Sequence, residues 1–414
     1  MSYQHDNHIE PDENEGNQYL DANDVAAEVK DDGDHPMDDE DEDDEPMAGP
    51  SRLAETNFVQ DFRSHDGSVF CVACHPTEPL AATGGEDDVG YIWDITDGEI
   101  IEKLTGHTDS VTSVAWSADG EMIATGGMDG KVRLWRRVGK ENHRIWEFLT
   151  ELQGPDEVMF LRWHPKGPVL LAGSNDSTLW LWQLPSGNTM QVFAGHTGPV
   201  NCGEFTPDGK KIVSACAGNI FIIWDPRSPT PAFKLTPEDT RFNLDGITSL
   251  SVNSSSTLAV VGGAAGSVRV ISLTKGEVAA ALGGHKEGES VEAVVSADLL
   301  GSGSGPGFAI TGGTDGNICV WDLSTNRIRT RLQHEDAITT LLVHPAPKPY
   351  IVVSGCADGS LRTWDARTGA VLKEHRGHVA PVLGASLGLN GSVVVSAGDD
   401  DIALVYTTEP AEDE

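Results

Sequence analysis

A histidine, a hydroxyl and an aspartate, the parts of a nucleophilic triad, recur four times in this chain of 414 residues. The sets are His65, Thr83 and Asp87; His107, Thr125 and Asp129; His285, Thr311 and Asp315; and His334, Ser354 and Asp358. A hydrolase needs one such set in a unique exposed setting, with an oxyanion hole beside it. Four copies and the lack of a Gly-x-Ser-x-Gly elbow point instead to a structural role. A tryptophan follows each aspartate by six residues and each hydroxyl by ten: Trp93, Trp135, Trp321 and Trp364. Each set therefore reads as a hydrogen-bonded tetrad that satisfies buried polar groups. Cys71-Val72-Ala73-Cys74-His75 fits a haem-attachment motif on paper. Yet His75-Pro76 recurs as His164-Pro165 and His344-Pro345, and residues three apart on a strand face opposite ways. With no second ligand pair for zinc, the sequence predicts neither cofactor nor metal. Cys202, Cys216, Cys319 and Cys356 are expected to pack as small apolar side chains. The run Gly301 to Gly307 lacks the Gly-Lys-Ser/Thr of a phosphate loop and reads as a flexible insertion.

The elements that must position these residues are strands. Lys131-Val132-Arg133-Leu134-Trp135 alternates polar and apolar, as a strand with one packed face does. Asp129-Gly130, Asp315-Gly316 and Asp358-Gly359 suit tight turns between strands. Four degenerate units complete the series. One has Asp176 and Trp182 but Gly154-Pro155 and Ala172; one has His196, Ser214 and Trp224 but Gly218. One, near Gly246 to Ile271, keeps only apolar alternation, and the last has His378, Ser396 and Asp400 with Tyr406 for the tryptophan. Eight units between His65 and Tyr406 give a period of about 43 residues, that of four-stranded propeller blades. The pattern resembles WD-repeat proteins, which implies an all-β fold: a single eight-bladed β-propeller. Each unit reads as three inner strands plus the outer strand of the blade before. Asn57 to Phe62 is then expected to supply the missing outer strand and close the ring. A seven-bladed ring is the alternative; Leu258 to Gly263 followed by Val268 to Val270 argues against it.

Charge is unevenly spread. Of 65 acidic and 28 basic residues, the first 50 positions hold 19 acids and one base, Lys30. Residues 1–52 are too poor in apolar groups to offset their ordering entropy and read as a disordered acidic leader. The propeller is placed at 53–408 and a short acidic tail at 409–414. A polyanion repels phosphates, so direct binding of nucleic acid is not expected and a basic protein or peptide is. No apolar run is long enough for a membrane helix, and no membrane partner is expected. Six cysteines in a chain this long fit a reducing, cytoplasmic or nuclear setting rather than a disulfide framework, and a monomer is expected.

The WD-repeat resemblance implies that partners meet the top face, through three positions per blade. In register these include Glu86, Glu157, Glu292 and Asp399, with the apolar Phe70, Met128, Met159 and Leu383 among them. None of the 24 positions is Lys or Arg, where chance would place about one or two. An acidic rim around apolar anchors suits a basic peptide. Three stretches carry a closer resemblance. They are Ser68-Val69-Phe70-Cys71-Val72 with Thr83-Gly84-Gly85-Glu86-Asp87-Asp88; Trp163-His164-Pro165 with Pro168 to Gly173; and Trp364 to Gly369. They are similar to the angio-associated migratory cell protein (AAMP) family over about residues 55–408. The resemblance implies a dedicated chaperone, as in fungal members, that holds the basic N-terminal segment of a large-subunit ribosomal protein until it joins the 60S particle. The alternative is a substrate receptor of a cullin-ring ubiquitin ligase, docking through Trp224-Asp225-Pro226-Arg227 and Trp364-Asp365-Ala366-Arg367.

Overall fold

A computed structural model describes residues 56–139, 143–299 and 307–408. The acidic leader, the Gly301 to Pro306 part of the glycine-rich run and the tail from 409 lie outside the described residues. Eight antiparallel sheets of four strands form the blades. The first is Val69–Cys74, Leu80–Gly85, Gly90–Asp94 and Ile100–Leu104. The fifth unit, featureless apart from its alternation, is a full blade built from Ile247–Val252, Leu258–Gly263, Ser267–Ser272 and Glu277–Gly283. The eighth takes Val382–Gly388, Val393–Gly398 and Ala403–Thr407 from the end of the chain and Gln60–Phe62 from its beginning. That last pairing is antiparallel, Gln60 to Val405, Asp61 to Leu404 and Phe62 to Ala403. Phe62 is buried and stacks on Trp93 of the first blade at 4.8 Å, so one side chain joins the two ends of the ring.

Burial falls from the middle strands outward. Leu80–Gly85 and Ile220–Trp224 are buried throughout, whereas Pro231–Leu235 shows four exposed residues of five. The middle strands are apolar on both faces because each blade packs against a neighbour on either side. The alternation expected of a one-faced strand shows instead in third strands such as Val132–Arg137 and Thr178–Gln183. Histidines at the end of inner strands tie neighbouring blades together: His75 Nε2 lies 3.0 Å from the Gly120 carbonyl, and His164 Nε2 lies 3.1 Å from that of Gly209. All six cysteines are free thiols. Burial pushes the Cys71 and Cys74 thiols up to about 12.

The four sets of His, hydroxyl, Asp and Trp are not equivalent. The sixth blade joins all four: His285 bonds Asp315 at 3.0 Å and Thr311 at 2.8 Å, and Trp321 Nε1 donates to Thr311 Oγ1 at 2.9 Å. In the second blade His107 bonds Asp129 at 3.0 Å and Thr125 at 2.8 Å. The first blade has His65 on Asp87 and Thr83, but Trp93 Nε1 finds no partner. The seventh departs from expectation. His334 Nε2 meets Ser354 Oγ at 2.6 Å and Trp364 Nε1 donates to the same oxygen at 2.7 Å, yet Asp358 does not reach the ring. Asp358 instead accepts from the backbone and hydroxyl of Ser360. Cys356 stands where the first, second, sixth and eighth blades have glycine, and a Cβ at any of those glycines would lie within 3 Å of the histidine Nδ1. In the eighth, degenerate unit, His378 does reach Asp400 and Ser396, at 2.8 and 2.7 Å.

Two outcomes follow from these networks. Burial lowers the His107 imidazole, against the pull of its bond to Asp129. Burial pushes Asp129 up, but the His107 bond and the N–H groups of Thr108 and Lys131 outweigh it and hold the carboxyl below its ordinary range. Asp129→Ala is therefore expected to destabilise by ~1–3 kcal/mol in chemical denaturation. Asp176→Ala should cost less, because among the described residues the Asp176 carboxylate accepts hydrogen bonds only from Thr178; the reverse order would mean the wrong blades are held as pinned. Burial, with a nearby lysine in each case, also lowers His196 to about 3 and His344 and His375 to about 4. An unfolded imidazole titrates near ~6.5, so the unfolded chain binds more protons than the folded one between about pH 6.5 and about pH 4. Stability should fall as pH drops through that window. A melting temperature unchanged between pH 7.5 and pH 5 would contradict this.

Candidate partner-binding face

One backbone bond repeats in all eight blades and fixes which residues share the upper end of the ring. The residue before the tight-turn position donates its N–H to a carbonyl just ahead of the innermost strand. The pairs are Glu86 to Ser68, Met128 to Ser110, Asn175 to Glu157, Ala217 to Pro199, Ala264 to Gly246, Thr314 to Ser290, Ala357 to Ala337 and Asp399 to Pro381. Each pair locks the hairpin between second and third strands to the loop entering the innermost strand, so both loops open on one face. The register is now common to all blades, including the third and fifth, which have no histidine to count from, and the sixth, whose loop is longer.

On this face Glu86, Glu157, Glu292 and Asp399 are all exposed, as are Met128 and Met159. Phe70 and Leu383 are half-buried. Phe70, Met159, Glu292 and Leu383 occupy the same place in four blades, two residues beyond the bonded carbonyl. In three others that place holds a side chain committed to the next blade: Thr112 to the Val158 carbonyl at 2.8 Å, Asn201 to that of Ile247 at 2.9 Å and Thr248 to that of Val291 at 2.6 Å. The ring of eight is thus part fastening and part contact surface. Asp399 and Glu86 converge on Ser68, the first accepting from its hydroxyl at 2.6 Å and the second from its N–H at 3.4 Å. Glu157 and Glu292 have no side-chain partner among the described residues.

The structure adds acids that counting three positions per blade missed. The loops entering the innermost strands carry Asp66, Asp109, Asp156, Asp245, Glu287, Glu335 and Asp336, all exposed. Their signal in the sequence is an acid within two residues after the histidine or its substitute. The bases of these loops and hairpins are paired: Lys286 with Glu289 at 3.3 Å, Lys131 with Asp129 at 3.7 Å, Arg63 with Asp61 at 2.5 Å, Arg241 with Asp239 at 2.9 Å and Arg376 with Glu374 at 2.7 Å. The face thus offers carboxylates and thioether or aromatic surface. By contrast, the tetrad histidines His65, His107, His285 and His378 have fully buried side chains, out of reach of any substrate.

The two Trp-Asp-x-Arg turns lend the ubiquitin-ligase alternative no support. Arg227 places two nitrogens on Asp225, at 3.0 and 2.9 Å, and Arg367 does the same with Asp365, at 3.1 and 2.7 Å. Arg367 also lies 3.5 Å from the centre of the Tyr350 ring. Both forks staple their own turn.

The family profile "WD domain, G-beta repeat" matches residues 56–94, 98–136, 146–183, 187–225, 276–322 and 326–365. It passes over the fifth unit, which lacks the tetrad residues, and the eighth, where Tyr406 replaces tryptophan. Angio-associated migratory cell protein of Homo sapiens is 34% identical over 360 residues, which span 84% of this chain and 79% of that protein. Ribosome assembly protein SQT1 of Saccharomyces cerevisiae is 26% identical over 88% of this chain and 91% of its own. Among solved structures, Chaetomium thermophilum Sqt1 bound to the N-terminus of the ribosomal protein L10 matches with TM-score 0.78 and 27% identity. That match covers 86% of this chain and all of the other.

Proposed function

The chain belongs to the angio-associated migratory cell protein family of WD-repeat propellers, and from that premise we propose that it is a non-catalytic chaperone for a basic ribosomal protein. It receives the basic N-terminal segment of a newly made large-subunit protein on its upper face, in the cytoplasm, and supports assembly of the 60S particle. One observation carries the reading: the 24 register positions of that face include four exposed acids and no base. A solved relative, Sqt1, holds the N-terminus of the ribosomal protein L10, which gives the client its class. Carboxylates around the rim speed the encounter and set specificity, while Phe70, Met128, Met159 and Leu383 supply the apolar contact that charge alone does not.

Calorimetric titration with the basic N-terminal segment of an L10-type ribosomal protein tests this. An exposed ion pair contributes ~0.2–1 kcal/mol, and reversal adds repulsion of similar size. Glu292→Lys should therefore weaken binding about 2–30-fold with the fold intact. Raising salt from about 0.05 to about 0.5 M shortens the screening length to a few ångströms and should weaken the wild-type complex as well. Phe70→Ala should also weaken it, while leaving the salt dependence of binding close to that of wild type. Binding indifferent to salt and to Glu292→Lys would place the client elsewhere.

A further inference from the structure

In the first, second, sixth and eighth blades the residue two before the tetrad aspartate is glycine: Gly85, Gly127, Gly313 and Gly398. A Cβ placed on any of them would lie 2.4–2.8 Å from the histidine Nδ1, so the histidine–aspartate bond exists only where this residue has no side chain. The seventh blade breaks the rule with Cys356. His334 is 3% exposed, and its Nδ1 has no hydrogen-bond partner. Burying an unpaired ring nitrogen is unfavourable and calls for an explanation. Around it stand the Cys356 sulfur and a carboxylate oxygen of Asp358, and the three atoms lie within 4.8 Å of one another.

The other side of the ring shows which form His334 takes. Ser354 Oγ accepts from Trp364 Nε1 at 2.7 Å, and its own proton has the Arg362 carbonyl as acceptor at 3.4 Å. The hydroxyl is thus left to accept from His334 Nε2, and Nδ1 keeps its lone pair. A ring held from behind by one nitrogen, with the other bare, is how proteins present imidazole to a metal. We propose that His334, Cys356 and Asp358 form a zinc site in the seventh blade, three protein donors with a fourth position for water. Imidazole, thiolate and carboxylate are zinc's donor set, at about 2.0–2.3 Å, so the three groups draw together by about 1 Å on binding. Asp358 is exposed and lines a cavity of about 490 Å³ with Glu335, Ser360 and His378, open enough to admit the ion and its water. The fourth blade is an internal contrast. It too has cysteine for glycine, Cys216, and an unpartnered His196 Nδ1, but Gly218 replaces the aspartate, leaving it one donor short.

The test is a cobalt titration of the full chain after treatment with a chelator. A thiolate–Co²⁺ charge-transfer band should appear and saturate at one equivalent, and Zn²⁺ should abolish it by displacement. Cys356→Gly should remove the band entirely, and Zn²⁺ should raise the melting temperature of the wild type but not of this variant. Without metal the glycine variant should melt no lower than the wild type, because the His334–Asp358 bond can then form. Cys356→Ser, which keeps the bulk, should lose the band too and serves if the glycine variant does not fold. The acidic leader will collect divalent ions through carboxylates, but such binding gives no thiolate band. Absence of the band in the wild type, or its survival in either variant, overturns the proposal.

Discussion

A chain lacking residues 1–62 is expected to melt more than about 10 °C below one lacking residues 1–50. The shorter truncation removes the acidic leader, whose composition offers little to a core. The longer one removes three strand pairings with Val405, Leu404 and Ala403 and leaves the last strand as an open edge. It also removes Phe62, buried against Trp93 and in edge contact with Tyr91 and His65. Loss of a buried phenylalanine alone typically costs ~3–5 kcal/mol, each ~1 kcal/mol shifts melting by roughly 2–4 °C in domains of about 150–250 residues, and the opened blade edge adds to that loss. Scanning calorimetry of the two truncations decides it; equal melting temperatures would refute closure by this strand.

Replacing Glu86, Glu157, Glu292 and Asp399 together by lysine should weaken binding of the basic client segment by ~15-fold or more, since exposed pairs contribute ~0.2–1 kcal/mol each and reversal acts twice. All four are exposed, so circular dichroism should be unchanged; only the Ser68 contacts of Asp399 and Glu86 are given up. The variant should also lose most of its salt dependence. Binding within a few-fold of wild type would remove the upper face from consideration.

The blade count and the closing strand were legible because residue type, spacing and recurrence agree along the whole chain. The fifth blade shows how little of that is needed. It has no histidine network, and Leu244 lies over Gly263 in its place, beside the buried Phe242. The blade is held by apolar packing that leaves only an alternation to read. The seventh blade shows the opposite limit. Its four tetrad residues stand at the right spacing, and one substitution between them, Cys356, undoes the network. That effect depends on a distance of less than 3 Å between the place a Cβ would take and a ring nitrogen, a quantity no spacing rule contains. The acids of the entry loops were visible as letters, but only the hairpin-to-loop bond, repeated in every blade, places them beside Glu86 and Asp399.

Pairing Gln60 with Val405 also sets a clock on synthesis. At about 5–20 residues per second, the ribosome needs about 20–70 s to deliver the second partner after the first. Throughout that interval the opening strand waits unpaired, and the first blade lacks the neighbour that covers Trp93. Loop closure over so long a span adds delay of its own. A protein proposed to guard newly made chains thus spends its own first minute as one, with an uncovered strand and a growing stack of blades that becomes a ring only at the end.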